Sequence, residues 1–288
     1  MPWLQLSIEA HGPEAERIAS RLDEAGALSV TLADAGDEPQ LEPGPGETPL
    51  WTRVRVSALF TADASGEALV DALARELGTN PSVERIADQA WERVWLDTFK
   101  PTRFGRRLWV CPHGQAPDDR DARVVMLDPG LAFGTGQHAT TALCLEWLDH
   151  VPLAGRTVLD YGCGSGILAI AALRLGAAAA IAVDHDPQAL EATRDNALAN
   201  AVADRISIYR PDELPGLSVD VTVANILAGP LIELAPRLTR ALRPGGGLAI
   251  SGVLAGQVEA VSRAYAGAVL LAPARVREDW ALISGLRR

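Results

Sequence analysis

The sequence predicts an α/β protein of two domains, the second of which is built on a parallel sheet. The 288-residue chain is long enough for two domains, and 48% of it is hydrophobic, as expected of a globular protein with a core. Residues 1–88 alternate strand and helix signals. Further along, residues 158–172 combine a short apolar run, three closely spaced glycines and an Ala/Leu-rich segment, which predicts a strand, a tight turn and a helix.

Charge and cysteine content argue against several functional classes. The net charge of -11 disfavours direct binding to nucleic acid, because that requires clustered basic residues. Acidic residues are concentrated in residues 1–50, which fits either a solvated face or a basic partner. Three cysteines without a Cys-x-x-Cys pair indicate a reducing compartment and no zinc site. No apolar run is long enough to span a membrane and no export signal is evident, so we expect a soluble, cytoplasmic protein.

The first domain, residues 1–88, is predicted to have the element order βαββαβ. Period-2 alternation and helical spacing give strands over 2–9, 27–33, 51–60 and 83–87 and helices over 13–26 and 67–77. A segment rich in glycine and proline, residues 34–49, reads as a loop. This order is that of the ferredoxin-like α+β fold.

Residues 89–105 are predicted to form a linker helix. Trp91, Trp95 and Phe99 recur at four-residue steps and therefore share one helical face. Such a stripe packs more often than it binds a ligand, so we expect it to dock one domain on the next. Pro101 is expected to end the helix.

The second domain, residues 106–288, is organised around Gly162, Gly164 and Gly166. These glycines let the backbone turn tightly and allow a ligand to approach it closely. Dinucleotide-binding enzymes use a similar turn, G-x-G-x-x-G/A, but here the third glycine comes one residue too early and Ile167 takes the place of Gly or Ala. Asp160, just before the turn, would repel a pyrophosphate and suits a cationic ligand; alternatively it only orders the turn. The combination resembles the S-adenosylmethionine-binding motif of Rossmann-like methyltransferases.

A second carboxylate, Asp184, follows the next predicted strand, residues 180–183. At the tip of that strand it is placed to accept both hydroxyl protons of a ribose. The alternative role is to cap the helix that Pro187 begins. Asp186 suits that role better, because it directly precedes a proline at the first helical position.

Two further segments carry polar residues toward the same region. The loop over 128–138 leads into a helix predicted over 140–149, and Thr141 could either cap this helix or contact the amino-acid end of a cofactor. His138 has two possible roles as well, a structural hydrogen-bonding group or a base. Asn225 follows a buried strand, 220–224, at the carboxyl edge where open α/β sheets bind ligands.

The remaining pattern completes a sheet of seven strands that ends in an antiparallel hairpin, the arrangement of class I methyltransferases. Its other predicted strands cover 205–209, 248–251, 268–271 and 280–284, and its other predicted helices cover 187–200, 231–242 and 257–265. Two short strands, 107–111 and 123–128, precede it.

Five segments together resemble one family, the ribosomal protein L11 methyltransferases (PrmA). They are residues 128–141, 158–172, 183–187, 223–231 and 245–253, and they include the loop F-G-T-G-x-H-x-T-T and the tetrapeptide N-I-L-A. The match covers nearly the whole second domain, whereas the first domain agrees in architecture and length. The resemblance implies S-adenosyl-L-methionine as cofactor. It also implies trimethylation of lysine side chains and of the N-terminal α-amine of L11, free or on the ribosome.

The resemblance also implies which residues form the site. Expected cofactor contacts are Thr141, Gly162, Gly164, Asp184 and Asn225, with Phe133 and Gly134 from the preceding loop. From its position, Asn225 is also the candidate for orienting the amine. The acidic first domain is expected to bind the basic substrate. Two competing hypotheses are a methyltransferase for glutamine side chains or small molecules, although amide-methylating enzymes have N-P-P-Y here, and a non-catalytic ribosome-assembly protein.

Overall fold

The computed structural model describes residues 2–36, 51–77, 80–86, 100–127 and 138–288. The chain divides into two compact units, Met1–Trp91 and Glu92–Arg288. Within the described ranges, no helix is long and apolar enough to cross a membrane.

The first unit has the predicted βαββαβ order. Its elements are β1 (Trp3–His11), α1 (Gly12–Glu24), β2 (Ser29–Asp34), β3 (Arg53–Thr61), α2 (Ala64–Leu77) and β4 (Ser82–Ile86). The four strands pair antiparallel in the order β2-β3-β1-β4. Alternate residues of β1, such as Leu6 and Ile8, are buried against Ile18 and Leu22 of α1. The ferredoxin-like arrangement is thus confirmed, with a hydrophobic core of its own.

A small sheet begins the second unit and corrects the expected linker helix. Its strands are β5 (Thr102–Phe104), β6 (Leu108–Cys111) and β7 (Arg123–Met126). Most of the linker predicted over 89–105 lies outside the described residues. Its last part is not helical, because Thr102 to Phe104 pairs antiparallel with β6 and the side chain of Phe104 is buried. Within the range 89–105, residues 102–104 are therefore a strand, and they follow the proline that was expected to end the helix.

The main sheet of the second unit has the strand order of class I methyltransferases. Its elements are α3 (Ala139–His150), β8 (Thr157–Tyr161), α4 (Ile167–Arg174), β9 (Ala179–Val183), α5 (Pro187–Ala199), β10 (Ile206–Tyr209), β11 (Val219–Asn225), α6 (Ala228–Ala241), β12 (Leu242–Leu254), α7 (Val258–Tyr265), β13 (Val269–Leu271), β14 (Arg275–Arg277) and β15 (Trp280–Arg287). The order is β10-β9-β8-β11-β12-β15-β13, and β14 pairs with β15. Strands β8 to β12 run parallel, whereas β15 is antiparallel.

Helices cover both faces of this sheet, which explains why its central strands are apolar throughout. Val221 and Val223 of β11 pack on the side of α3, α4 and α5, and Ala224 packs on the side of α6 and α7. The parallel strands end at one edge, where polar residues such as Asn225 and Asp184 follow buried ones. Such an edge is where open α/β sheets bind ligands.

The structure differs locally from the sequence-based prediction at β12, α6 and β14. Strand β12 begins at Leu242, and its pairing with β11 shifts register across the glycines, from Leu242 to Gly247. Helix α6 begins at Ala228 because Pro230 lies in its first turn, where a missing N–H costs no hydrogen bond. The short strand β14 was not predicted.

Candidate functional site

A cavity of about 690 Å³ opens at the carboxyl edge of the main sheet. It is lined by His138, Thr140, Tyr161, Gly162, Asp184, His185, Pro211, Asn225, Ile226, Leu227, Pro230, Leu234, Gly252 and Trp280. These residues lie at or near the carboxyl ends of the five parallel strands β8 to β12, in α6, and at the beginnings of α3 and β15. The volume is that of a site for one small-molecule ligand.

The glycine turn forms one wall of this cavity. Gly162 has φ +77°, and a Cβ atom built on it would lie 2.2 Å from Cγ2 of Ile226. Any side chain at position 162 would therefore collide with a neighbouring wall residue and would strain the backbone. The Gly162 N–H donates to the carbonyl of Val183 at 2.7 Å, which fixes the turn against β9. The turn is thus tied to β9, and Ile226 packs where a side chain at position 162 would lie.

Asp184 is held rigidly at the tip of β9 and lies in the cavity wall. Its Oδ2 accepts a hydrogen bond from the N–H of Gly164 at 2.9 Å, and its Oδ1 accepts one from the N–H of Asp186 at 3.1 Å. The cap of α5 is Asp186, which accepts from the N–H of Gln188. The predicted cap is thus confirmed. Each oxygen of Asp184 keeps acceptor capacity for a ligand hydroxyl.

Asn225 and Thr141 form a pair that fixes one amide orientation. The Nδ2 of Asn225 donates to Oγ1 of Thr141 at 3.1 Å, and Thr141 is buried on α3. Thr141 does not cap this helix, because His138 does so by accepting from the N–H of Thr140. One N–H of the amide is used by Thr141, and in this orientation the Oδ1 of Asn225 is left to act as an acceptor. No described residue donates a hydrogen bond to it.

Asp160 lies fully buried behind the glycine turn and outside the cavity wall. Its Oδ2 accepts from the N–H of Ala169 at 3.0 Å at the start of α4, which is the turn-ordering contact. Its Oδ1 has no hydrogen-bond partner among the described residues. Burial raises the pKa of this carboxyl to about 7, the Ala169 N–H opposes the shift, and the charge of Asp184 adds to it. The buried Oδ1 of Asp160 would be stabilised by a nearby cationic group or by a proton.

This raised pKa predicts a stability effect that depends on pH. The folded state keeps the Asp160 proton where the unfolded chain has already lost it, so ionisation favours unfolding between the ordinary pKa of about 3.8 and the folded value of about 7. Asp160→Asn lacks this penalty. We expect its free energy of unfolding, relative to the parent protein, to rise across this window by up to about 4 kcal/mol. Urea unfolding without ligand at pH 4 to 8 measures it; a pH-independent difference would contradict the assignment.

An aromatic corner closes the cavity beside α3. The ring centroids of His138 and Trp280 lie 4.9 Å apart at an interplanar angle of 68°. Trp280 begins β15, and because β15 runs antiparallel to β12 its first residue lies at the same edge as the ends of the parallel strands. Gly252 lines the cavity nearby, where a Cβ would lie 2.3 Å from the carbonyl oxygen of Ile226.

The opposite end of the cavity is mostly apolar and is built from α6 and the ends of β8 and β10. Tyr161, Pro211 and Leu234 contribute to its wall. The guanidinium of Arg237 lies 5.6 Å from the ring centroid of Tyr161 and donates to the carbonyl of Pro211. This cation–π contact orients the phenol ring beside the cavity.

The expected site residues are thus brought together in part. Gly162, Asp184 and Asn225 lie in the cavity wall. Thr141 and Gly164 each lie one hydrogen bond behind it, bonded to Asn225 and Asp184 respectively. Phe133 and Gly134 lie outside the described residues, so their role stays a prediction.

Sequence reasoning missed Trp280, Gly252 and the apolar end of the cavity. Ile226 and Leu227 directly follow Asn225, so adjacency to a predicted residue was an available signal for them. Placing Trp280 in the cavity wall would have required knowledge of the order and direction of the strands. Within the described part of the chain, no cluster of His, Cys, Asp and Glu could hold a metal ion.

Comparison with known proteins identifies the family. The model of the family "Ribosomal protein L11 methyltransferase (PrmA)" matches residues 2–288. The chain is 56% identical over 292 residues to the ribosomal protein L11 methyltransferase of Pseudomonas paraeruginosa, covering 100% of this chain and 99% of that protein. It is 53% identical over 292 residues to the one from Azotobacter vinelandii, with 100% of both chains covered. A crystal structure of the ribosomal protein L11 methylase from Lactobacillus delbrueckii subsp. bulgaricus aligns with a TM-score of 0.60 and 30% identity, covering 66% of this chain and 98% of that one. The chain belongs to the ribosomal protein L11 methyltransferase family.

Proposed function

We propose that this protein transfers methyl groups from S-adenosyl-L-methionine to lysine side chains and to the N-terminal α-amine of L11, and that it continues to the trimethylated products. The observation that most supports this is the acceptor oxygen of Asn225, which lies in one cavity with the carboxylate of Asp184. The lone pair of the amine must stay free to react, and a hydrogen-bond acceptor can hold the amine through an N–H and leave the lone pair unused. Family membership supports L11 as the substrate.

The residues of the cavity fit the proposed cofactor. Gly162 and Asp184 both line the cavity, and Asp184 offers carboxylate oxygens for the ribose hydroxyls. The apolar end at Tyr161, Pro211 and Leu234 suits an adenine ring. When bound, S-adenosylmethionine supplies an electrophilic methyl group on a sulfonium centre. The Asp160 carboxyl, which keeps its proton up to about pH 7 in the folded protein, would ionise more readily beside a cationic ligand, and the resulting opposite charge favours such a ligand.

The contribution of the protein to transfer is chiefly placement. Holding an amine at the correct distance and angle can supply roughly 7–11 kcal/mol of a barrier. A lysine amine, with an ordinary pKa of about 10.4, must lose its proton before it can react. An apolar cavity and a nearby cation both lower the pKa of an ammonium group, so no dedicated base is required. Asn225 Oδ1 would accept an N–H of the neutral amine and so direct its lone pair.

The identity of the modified atoms is the decisive test. Purified protein, L11 and S-adenosylmethionine with a labelled methyl group are incubated, and the product is mapped by mass spectrometry. We expect label on lysine side chains and on the N-terminal amine, with three methyl groups at each modified nitrogen. Label on glutamine side chains, transfer only to small molecules, or no transfer at all would each refute the proposal.

The first unit is proposed to bind the basic substrate through its acidic surface. Glu16, Asp23 and Glu24 of α1 are exposed. Replacing them by Gln, Asn and Gln should raise KM for L11 roughly three- to tenfold at low salt, because exposed charges mainly accelerate association. The cavity lies in the second unit, so affinity for S-adenosylmethionine should not change.

Steady-state kinetics at two salt concentrations measures this effect, since screening should reduce the difference between variant and parent. Neutralising Glu259, an exposed residue of α7 in the second unit, is the matched control. An unchanged KM in the triple variant would show that the substrate binds elsewhere.

A further inference from the structure

The hairpin formed by β14 and β15 delivers an aromatic side chain to the cavity. Strand β14 lies outside the main strand order and pairs with β15. Arg277, at the end of β14, is paired directly with Trp280, at the start of β15. The indole of Trp280 lines the cavity and contacts the ring of His138. The position of the hairpin therefore sets the position of this wall.

A single carboxylate ties the hairpin to α3. Oε1 of Glu146 accepts from Arg277 at 2.7 Å, and Oε2 accepts from Arg275 at 2.8 Å. The Glu146 side chain is only 17% exposed. Charge-assisted hydrogen bonds in such a shielded setting are stronger than those of exposed ion pairs. We call these three residues the Glu146 clasp.

The helix that carries Glu146 also carries groups of the cavity. Helix α3 begins after His138, whose ring meets Trp280, and it contains Thr141, which fixes the amide of Asn225. The clasp thus joins two elements that meet again at the cavity, through the His138–Trp280 contact.

We propose that Glu146 is a positioning residue for methyl transfer, acting through the β14–β15 hairpin on Trp280. The inference rests on the proposed use of the cavity, in which Asn225 holds the reacting amine and Trp280 lines the same cavity. Without the carboxylate, the neighbouring charges of Arg275 and Arg277 are left uncompensated, and the hairpin loses this link to α3. The indole then shifts relative to Asn225. Small misplacements at a reacting centre are costly, since about 1 Å can reduce a rate by roughly 100-fold.

Glu146→Gln tests the clasp with little change in size. We expect kcat for label transfer to L11 to fall at least roughly tenfold. The Kd for S-adenosylmethionine should stay within about twofold, because Gly162 and Asp184 lie on other strands and are fixed by their own backbone hydrogen bonds. Glu259→Gln is the control: it breaks the exposed Glu259–Arg263 pair of α7 and should leave kcat unchanged.

A double-variant cycle separates positioning from general destabilisation. In a Trp280→Leu background, Glu146→Gln should cause little or no further loss of kcat, because its effect passes through Trp280. Trp280→Phe serves the same cycle if the leucine variant does not fold. An equal loss of kcat with and without Trp280 overturns the proposal, as does a lowered melting temperature with kcat unchanged. Total label in L11 is counted whatever atom receives it, so a wrong acceptor assignment would refute the proposed function and leave this test intact.

Discussion

Asn225→Ala is expected to lower kcat for methylation of L11 by roughly 100-fold, with the Kd for S-adenosylmethionine changed by no more than a few-fold. The reason is that the nitrogen and the oxygen of the Asn225 amide have different roles. Its NH₂ group is bonded to Thr141, and its oxygen is the acceptor that remains for the amine. Removing that oxygen removes the group proposed to orient the lone pair of the amine. The proposed cofactor contacts, the glycine turn and Asp184, are left unchanged.

Two further variants distinguish the oxygen from the rest of the side chain. Thr141→Val removes the group that fixes the amide, so kcat should fall less than in Asn225→Ala, by roughly tenfold, because the amide can still rotate into place. Asn225→Asp keeps an acceptor oxygen and a hydroxyl partner in Thr141, and it should retain more activity than the alanine variant. Single-turnover kinetics at saturating cofactor measures all three. Near-normal turnover of Asn225→Ala, with normal cofactor affinity, would rule out a role for this residue in orienting the amine.

Gly162→Ala is expected to abolish measurable cofactor binding, with Kd raised at least roughly 100-fold, and to lower the free energy of unfolding. Two costs add at this position. An alanine at positive φ costs about 1–2 kcal/mol, and its Cβ would lie 2.2 Å from Ile226 Cγ2, so the wall must move. The displaced Ile226 also lines the cavity, so its movement would change the wall that a ligand contacts. Calorimetric titration with S-adenosylmethionine and urea unfolding measure the two effects.

Gly155→Ala is the matched control for backbone strain alone. Gly155 has φ +73°, and a Cβ there meets nothing within 4 Å. This variant should lose about 1 kcal/mol of stability and keep normal cofactor affinity. Adding Ile226→Ala to Gly162→Ala removes the Cγ2 atom and should recover part of the lost stability. If Gly162→Ala binds cofactor like the control variant, the turn is not a cofactor contact.

Local sequence patterns predicted most elements of the fold, and the structure contains those elements. Apolar runs that end in a carboxylate or an amide located the carboxyl ends of β8, β9 and β11, and these three strands lie side by side. Asp186 before Pro187 located the start of α5, and it left Asp184 available in the cavity wall. Such signals are contained within a few residues, so the sequence alone expresses them.

The missed parts depend on contacts between distant segments. Trp280 lines the cavity only because β15 is antiparallel to β12, and β14 exists only as a partner for β15. The pairing of Thr102 to Phe104 with β6 likewise makes a strand of a segment that local signals did not mark as one. Tertiary pairing overrides local propensity in both cases.

Every described residue of the cavity wall belongs to the second unit, and each unit has a hydrophobic core of its own. With the roles proposed above for the two units, catalytic chemistry and the choice of protein target would be encoded in separate stretches of sequence. Chimeras that join this catalytic unit to a foreign recognition module offer a route to retargeted methylation, without redesign of the cofactor pocket.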